Sequence, residues 1–172
     1  GFARVSGRPG VVFATSGPGA TNLVTGLADA LIDSTPVVCI TAQVFAHLLG
    51  TDAFQETDVI NTTIPCTKWN IQVTEAKDIA PAVAKAFYIA SSGRPGPVLI
   101  DITKNAQNEL IDEPEYKRCE SIRTYKPKPV LQVSAVKEAA ELINNAKKPY
   151  ILAGQGVLLS GATQELKTLS EK

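Results

Sequence analysis

The sequence predicts an α/β protein whose parallel β-sheet is covered by helices on both faces. Short, uniformly apolar segments rich in Val and Ile alternate with segments whose apolar residues recur at helical spacing. Strands without a polar face are typical of parallel sheets, because helices cover both sides of such sheets. The first of these segments, residues 10–15, ends in a turn of glycine and proline, as expected of a buried strand that leads into a helix.

The remaining elements of the first domain follow the same alternation. A helix is predicted from Ala20 to Leu31, because Leu23, Val24, Leu27 and Leu31 recur at intervals of three and four. A second helix is predicted over residues 79–90, where Pro81 suits the first turn. The predicted strands comprise residues 10–15, 36–41, 68–73 and 97–102.

The chain changes character after Lys104. Charged and polar residues dominate the following stretch, and residues 125–129 form a proline-punctuated segment of the kind that links domains. We therefore predict a first domain over residues 1–104, a linker over 105–130 and the start of a second, Rossmann-like α/β domain over 131–172.

Within the second domain, residues 134–146 return to helical spacing. We expect this helix to be followed by a strand over residues 150–153. A glycine turn is predicted next, at Gly154, Gln155 and Gly156.

The composition narrows the function classes. The 17 Lys and Arg residues balance the 17 Asp and Glu residues, so charge favours neither nucleic acid nor an anionic membrane as a partner. The three cysteines lie far apart and form no CxxC pair, which predicts reduced thiols and no metal site. No apolar run approaches the roughly 20 residues of a membrane span. We expect a small-molecule substrate.

The turn after the first strand is a candidate ligand site. Ser16-Gly17-Pro18-Gly19-Ala20-Thr21-Asn22 lies between a strand and a helix, at the sheet edge where open α/β folds bind ligands. Glycine permits close approach to backbone, and free amides at a helix start suit an anionic or polar group. A plain tight turn is the alternative, because short glycine motifs often mislead.

The loop after the second strand is another candidate. Gly50-Thr51-Asp52-Ala53-Phe54-Gln55-Glu56-Thr57 concentrates acidic, amide and aromatic groups, although a solvated loop is an equal alternative. The single histidine, His47, lacks an accompanying nucleophile elbow, which favours a surface histidine over a catalytic triad.

Two cations flank the fourth strand. Arg94, in a Gly-Arg-Pro-Gly-Pro segment, could present its planar guanidinium to a phosphate or carboxylate. Lys104 follows the strand directly. From the pattern alone, solvated side chains are the favoured interpretation of both.

Together these stretches resemble the acetolactate synthase (acetohydroxyacid synthase) catalytic subunit in order and spacing. SGPGATN and GRPGP occur widely among thiamine-diphosphate enzymes, whereas GTDAFQET is more specific. The stretches that carry the resemblance are Gly1–Arg4, Ser16–Asn22, Asp29–Ser34, Gly50–Thr57, Gly93–Asp101 and Lys104.

The resemblance implies most of a pyrimidine-binding domain and the opening of a central domain. Members of the family use thiamine diphosphate and Mg²⁺ to decarboxylate pyruvate and join the two-carbon unit to a second 2-oxo acid, in valine, leucine and isoleucine synthesis. They also bind FAD. By similarity, Pro18, Asn22 and Gln55 would face thiamine diphosphate or bound substrate. The substrate channel would include Phe54, Lys68 and Lys104, and the FAD site Ser34, Arg94, Gly154, Gln155 and Gly156.

The resemblance also sets expectations for the assembly. The active site of such enzymes lies between two subunits, so we expect a homodimer, and a regulatory subunit is possible. The cofactor-activating glutamate and the metal ligands would lie outside this chain, which begins at Gly1 without methionine. We therefore expect an internal fragment that is inactive alone, exposes apolar surface and comes from a cytoplasmic, plastid or mitochondrial protein.

Three departures from the family pattern bear on the channel. Phe45 stands where many members have proline, Ala42 where glycine is common, and Thr103-Lys104-Asn105 where Pro-Lys-Asp is usual. Glyoxylate carboligase, pyruvate oxidase and a non-catalytic α/β binding module are the alternative interpretations of the chain.

Overall fold

The computed structural model describes residues 1–112 and 115–172, which form two compact units, Gly1–Pro129 and Val130–Lys172. Residues 113 and 114, within the predicted linker, lie outside the described residues. Among the described residues, no helix combines the length and apolar character needed to cross a membrane.

A four-stranded parallel sheet forms the centre of the first unit. The strand order is β1-β2-β4-β3, so the last strand in the chain lies between the second and the third. This arrangement confirms the predicted α/β class. The strands are β1 (Gly10–Ala14), β2 (Val37–Gln43), β3 (Trp69–Val73) and β4 (Pro97–Thr103).

Six α-helices and three short 3₁₀ segments precede, connect or follow the described strands of the first unit. The α-helices are α1 (Phe2–Ser6), α2 (Pro18–Thr21), α3 (Val24–Ile32), α4 (Val59–Thr63), α5 (Ile79–Ser91) and α6 (Lys104–Asn108). The 3₁₀ segments are Ala46–Leu48, Ile64–Cys66 and Ala76–Asp78.

The helix predicted from Ala20 to Leu31 is in fact two helices. Helix α2 already begins at Pro18, whose fixed φ suits the first helical position. The backbone amide of Leu23 then bonds to the carbonyl of Ala20, three residues back rather than four. This tighter turn separates α2 from α3 and leaves Asn22 in the turn between them.

Two apolar clusters lie on opposite faces of the sheet. On one face, Cys39 of β2 and Leu99 of β4 pack with Leu27 of α3. On the other, Val98 and Ile100 of β4 pack against α5. Side chains of a strand alternate between the two faces, so the apolar residues of the fully buried β4 contribute to both clusters. The predicted covering of both faces is confirmed.

The first strand differs from its prediction, because it is exposed rather than buried. The exposed fractions are 47% for Val11, 36% for Val12 and 74% for Phe13. Among the described residues β1 pairs only with β2, so it forms one edge of the sheet. The expected exposure of apolar surface is therefore confirmed. Three neighbouring exposed apolar side chains lie in β1.

The second unit consists of helices and irregular segments in the described structure. Its helices are α7 (Val133–Asn145), α8 (Gly156–Leu159) and α9 (Thr163–Ser170), and none of its residues is buried. The predicted helix over 134–146 is confirmed, but the predicted strand over 150–153 is wrong. A strand needs a neighbour to bond with, and residues 130–172 contain no second strand.

Candidate functional site

The parallel sheet places the loops that follow its strands along one edge. This carboxyl edge consists of residues 15–17 after β1, residues 44–58 after β2 and Lys104 after β4. The opposite, amino edge consists of the residues that precede β2, β3 and β4. Open α/β sheets bind ligands at the carboxyl edge, so the candidate site is defined there.

The turn after β1 fits closely against the loop after β2. Gly17 has φ 58° and ψ −119°, a conformation that side chains rarely permit. A Cβ atom at this position would lie 2.8 Å from the backbone oxygen of Gln55. The turn therefore requires glycine for two reasons, its backbone conformation and its contact with Gln55.

The loop of residues 50–57 has an unusual backbone. Gly50, Asp52 and Gln55 all have positive φ, of 78°, 58° and 59°. Such conformations in non-glycine residues persist only where surrounding contacts enforce them, and they cluster at functional sites. Here Glu56 supplies the contacts.

The carboxylate of Glu56 forms hydrogen bonds to backbone amides of its own loop. It accepts hydrogen bonds from the backbone amide of Gly50 and, at 3.0 Å, from that of Ala53. These two backbone hydrogen bonds, with Gly50 contributing most, hold the pKa of Glu56 below its usual range. An ionised Glu56 thus stabilises the loop at neutral pH.

The predicted thiamine-diphosphate residues come together at the carboxyl edge. Pro18 lies at the start of α2, Asn22 ends it, and Gln55 packs against Gly17. All three are exposed, and the adjacent Phe54 is 88% exposed. Within the described part of the chain, the side chains of Asn22 and Gln55 form no hydrogen bonds. Two amides and an apolar surface are therefore available to a ligand.

Lys104 belongs to the same edge. Its backbone amide donates to the carbonyl of Val44, and its ammonium lies 5.2 Å from the ring centroid of Phe45. The Phe45 ring also stacks on His47, with centroids 5.6 Å apart. Phe45, one of the departures from the family pattern, therefore contacts the side chains of both Lys104 and His47. His47 is exposed, in agreement with its prediction.

Ser34 and Arg94, predicted to contact FAD, lie together at the amino edge. The Nε atom of Arg94 donates to the Ser34 hydroxyl at 2.7 Å. Its Nη2 atom donates to the backbone oxygens of Ile32, at 2.8 Å, and Leu31, at 3.3 Å. A guanidinium at these last carbonyls of α3 interacts favourably with the negative end of the helix dipole.

Lys68 also lies at the amino edge, on the side of the sheet away from Lys104. Its ammonium donates to the backbone oxygens of Ile89 and, at 2.8 Å, Ser92, and to the Tyr125 hydroxyl at 3.1 Å. The two lysines predicted for one channel are therefore separated within this chain. Lys68 instead connects β3, α5 and the segment that contains Tyr125.

The remaining predicted residues, Gly154, Gln155 and Gly156, are exposed in the second unit. Gly156 is the first residue of α8, and the backbone oxygen of Gly154 accepts from the amide of Val157 at 3.2 Å. The predicted glycine turn is thus the entry to a short helix.

Sequence reasoning missed a buried carboxylate beneath the carboxyl edge. Asp101 is fully buried in β4, where it lies in register with Thr41 of β2 and Gln72 of β3. The signal was present, since Asp101 is the single charged residue within an otherwise apolar strand segment. Metal binding does not account for it, because no group of acidic, histidine or cysteine residues in the described ranges could hold a metal ion.

Comparison with known proteins identifies the class of enzyme to which the chain is similar. Residues 1–62 match the family model of the thiamine pyrophosphate enzyme N-terminal TPP binding domain, and residues 136–172 match that of the thiamine pyrophosphate enzyme central domain. The chain therefore belongs to the thiamine pyrophosphate enzymes.

Within that class, the chain is similar along nearly its whole length to acetolactate synthases, as its motifs predicted. It is 48% identical over 171 residues to the large subunit from Corynebacterium glutamicum, covering 99% of this chain and 27% of that protein. It is 49% identical over 173 residues to the probable large subunit from Methanocaldococcus jannaschii, covering 99% and 29%. For the chloroplastic enzyme of Arabidopsis thaliana the identity is 47% over 163 residues, covering 93% and 24%. The chain thus spans less than a third of these relatives.

Proposed function

We propose that this chain forms the pyrimidine-side wall of the active site of an acetolactate synthase. That enzyme decarboxylates pyruvate and joins the two-carbon unit to a second 2-oxo acid, a step in branched-chain amino-acid synthesis. The observation that carries the proposal is the packing of Gln55 on Gly17, which brings the unpaired amides of Gln55 and Asn22 to one edge of the sheet.

The residues at this edge suit the aminopyrimidine of thiamine diphosphate. Pro18 offers an apolar surface, and the amides of Asn22 and Gln55 can each donate and accept hydrogen bonds, as a heterocycle with amino and ring nitrogens requires. When bound, thiamine diphosphate supplies the ylid chemistry that permits decarboxylation of a 2-oxo acid. Phe54 and Lys104 would exclude water and attract the carboxylate of the substrate.

Magnesium and FAD are further parts of the proposal. We propose that magnesium accompanies the diphosphate and is held by groups other than the described residues. For FAD, the Ser34 hydroxyl accepts from Arg94 and so keeps its own proton for donation to a ligand. The Nη1 atom of Arg94 forms no hydrogen bond to the described residues, so it too can donate. We propose Gly154, Gln155 and Gly156 of the second unit as further FAD contacts on the family resemblance alone.

The assembly is proposed on the same basis. The exposed apolar side chains of β1 support association of this unit with further protein, which fits a homodimer whose active site lies between subunits. A regulatory subunit is compatible with the family relationship. The enzyme would act in the cytoplasm or, in a eukaryotic cell, in a plastid or mitochondrion.

The proposal is tested by assaying the protein expressed from its full reading frame. With pyruvate, thiamine diphosphate and Mg²⁺, acetolactate should form. Asn22→Ala and Gln55→Ala should each lower kcat/KM by about tenfold to a hundredfold, because misplacement of a ligand by about 1 Å can cost that much. Their melting temperatures should stay unchanged, since both side chains are exposed and unpaired.

Asn144→Ala is the matched control, because Asn144 is an exposed amide in α7 of the second unit. It should leave both activity and stability unaltered. Turnover of glyoxylate instead of acetolactate formation from pyruvate would favour the carboligase alternative. Full activity of the Asn22 and Gln55 variants would refute the assignment of this edge.

A further inference from the structure

A polar layer, buried except for the half-buried Gln72, lies beneath the carboxyl edge on the sheet face that also carries Cys39 and Leu99. We call its four side chains the polar floor. They are Thr41, Gln43, Gln72 and Asp101. The Asp101 carboxylate accepts hydrogen bonds from Thr41 Oγ1 at 2.6 Å, from Gln72 Nε2 at 3.0 Å and from Gln43 Nε2 at 3.1 Å.

The carboxamide of Gln43 connects this floor to the loop above it. Its Nε2 atom donates to Asp101 and also to the backbone oxygen of Thr57 at 2.8 Å. Its Oε1 atom accepts from the amide of Val44 at 2.9 Å. Both amide hydrogens and the oxygen are thus engaged, so the orientation of Gln43 is fixed.

Thr57 is the last residue of the loop that contains Gln55. The loop is held at one point by the Glu56 carboxylate, which bonds to Gly50 and Ala53. The bond from Gln43 to Thr57 attaches it to the sheet at a second point. Two successive residues, Glu56 and Thr57, therefore determine where Gln55 lies against Gly17.

Burial of a carboxylate costs desolvation free energy, so it contributes little to the stability of a core. No Lys or Arg side chain among the described residues contacts Asp101, and burial raises its pKa above the usual carboxyl range. Apolar residues of similar volume are often at least as stabilising as buried charged groups. Asp101 is better explained by what its hydrogen bonds orient than by core stability.

We propose that Asp101 is a positioning residue of the active site, acting through Gln43 and Thr57 to hold the loop that carries Gln55. The proposal rests on the proposed function, since it assigns the support of that same site. Asp101 touches neither cofactor nor substrate. It keeps the Gln43 amide aimed at Thr57, and the loop keeps its strained backbone as a result.

The chain offers a matched pair for the test. Gln43 and Gln72 both donate Nε2 to the Oδ2 atom of Asp101, at nearly equal distances, but only Gln43 also bonds to the loop. Gln43→Leu, Gln72→Leu and Asp101→Asn are made in the protein expressed from its full reading frame. Hydrogen–deuterium exchange over residues 50–57 is measured together with acetolactate formation and melting temperature.

Gln43→Leu and Asp101→Asn should raise exchange of this loop by about tenfold, because a local opening no longer has to break the Thr57 bond. Both should lower kcat/KM by about tenfold through displacement of Gln55. Gln72→Leu should lower the melting temperature to a similar extent, yet leave loop exchange and kcat/KM near the unsubstituted values.

Equal loop exchange in the Gln43 and Gln72 variants would overturn the proposal, since Asp101 would then only stabilise the fold. Gln43→Leu removes the Thr57 bond directly, so an Asp101 variant is needed to test Asp101 itself. If Asp101→Asn does not fold, the smaller Asp101→Ser is measured in its place, with the same expected rise in loop exchange. If the unsubstituted protein forms no acetolactate, the proposed function fails. The exchange comparison still shows whether Asp101 supports the loop, because that measurement does not depend on activity.

Discussion

At the carboxyl edge of the sheet the side chains of Asn22 and Gln55 form no hydrogen bonds to the described residues, whereas at the amino edge Arg94 and Lys68 each form three. Both edges carry motifs typical of the same enzyme family. Their polar groups nevertheless have different uses. At the carboxyl edge, amide side chains without hydrogen-bond partners lie beside a loop with positive φ angles. At the amino edge, the cations form hydrogen bonds that join segments of the chain.

The comparison teaches that a family motif does not by itself distinguish a ligand contact from a structural one. Arg94 stands in the GRPGP motif, whose pattern also allows an anion-binding role, yet its Nε and Nη2 atoms donate to Ser34 and to the end of α3. Substitutions of exposed side chains at the carboxyl edge should therefore lower activity more than stability. Substitutions of the cations at the amino edge should lower stability more than activity.

Gly17→Ala should have the largest effect on stability, because it combines backbone strain with a clash. The positive φ alone costs about 1–3 kcal/mol for a non-glycine residue, and the new Cβ would lie 2.8 Å from the Gln55 oxygen. Urea unfolding of the full-length protein should show at least this loss. It would also displace Gln55, so catalysis should fall.

Gly26→Ala is the control for that change. Gly26 lies within α3, where a Cβ would have no neighbour within 4 Å. Alanine should therefore stabilise the protein by about 0.5–1 kcal/mol through its better helix propensity. Similar destabilisation by both substitutions would show that the contact between Gly17 and Gln55 is not important in solution.

Arg94→Ala should have the next largest effect and should weaken the fold rather than the thiamine-diphosphate edge. Loss of charge-assisted hydrogen bonds to Ser34 and to the end of α3 should lower the free energy of unfolding by about 1–2 kcal/mol. The affinity for thiamine diphosphate, measured by calorimetry, should not change. Arg8→Ala is the control, since the exposed Arg8 side chain has no partner among the described residues. Unchanged stability of the Arg94 variant would remove the distinction between the edges.

Glu56→Gln should have the smallest effect on global stability and a visible effect on the pH dependence of the loop. The pKa of Glu56 is lower in the folded protein, so its contribution is present above the unfolded pKa of about 4.3 and is lost as pH falls through the folded value. Protection of residues 50–57, the ratio of the intrinsic to the observed exchange rate at each pH, should thus fall at low pH in the unsubstituted protein.

The Glu56→Gln variant should show low loop protection at every pH, because a neutral amide offers only one acceptor oxygen to the two backbone amides. Asp101 shifts in the opposite direction, since burial raises its pKa, so its protonation favours the folded state. The loop-specific measurement separates the two carboxylates. Loop protection that does not change across a pH range of about one unit either side of the ordinary Glu pKa would contradict the role given to Glu56.

The sequence by itself determined the class of the fold and the stretches that meet at the candidate site. The short apolar runs of β2 and β4, the helical spacing in α5 and the glycine turn after β1 are local properties, and each predicted its element within a few residues. The motif order likewise predicted the enzyme family. These features depend on neighbours in the chain, which is the information that a sequence contains directly.

The tertiary structure decided which of the predicted residues lie together. Lys68 and Lys104 have similar side chains and both flank strands, yet strand direction places them at opposite edges. Three further features depend on which segments pack against each other. They are the exposure of β1, the lack of a strand over residues 150–153 and the burial of Asp101. A strand, a buried charge or a ligand edge is defined by partners distant in the chain, and no local pattern specifies those partners.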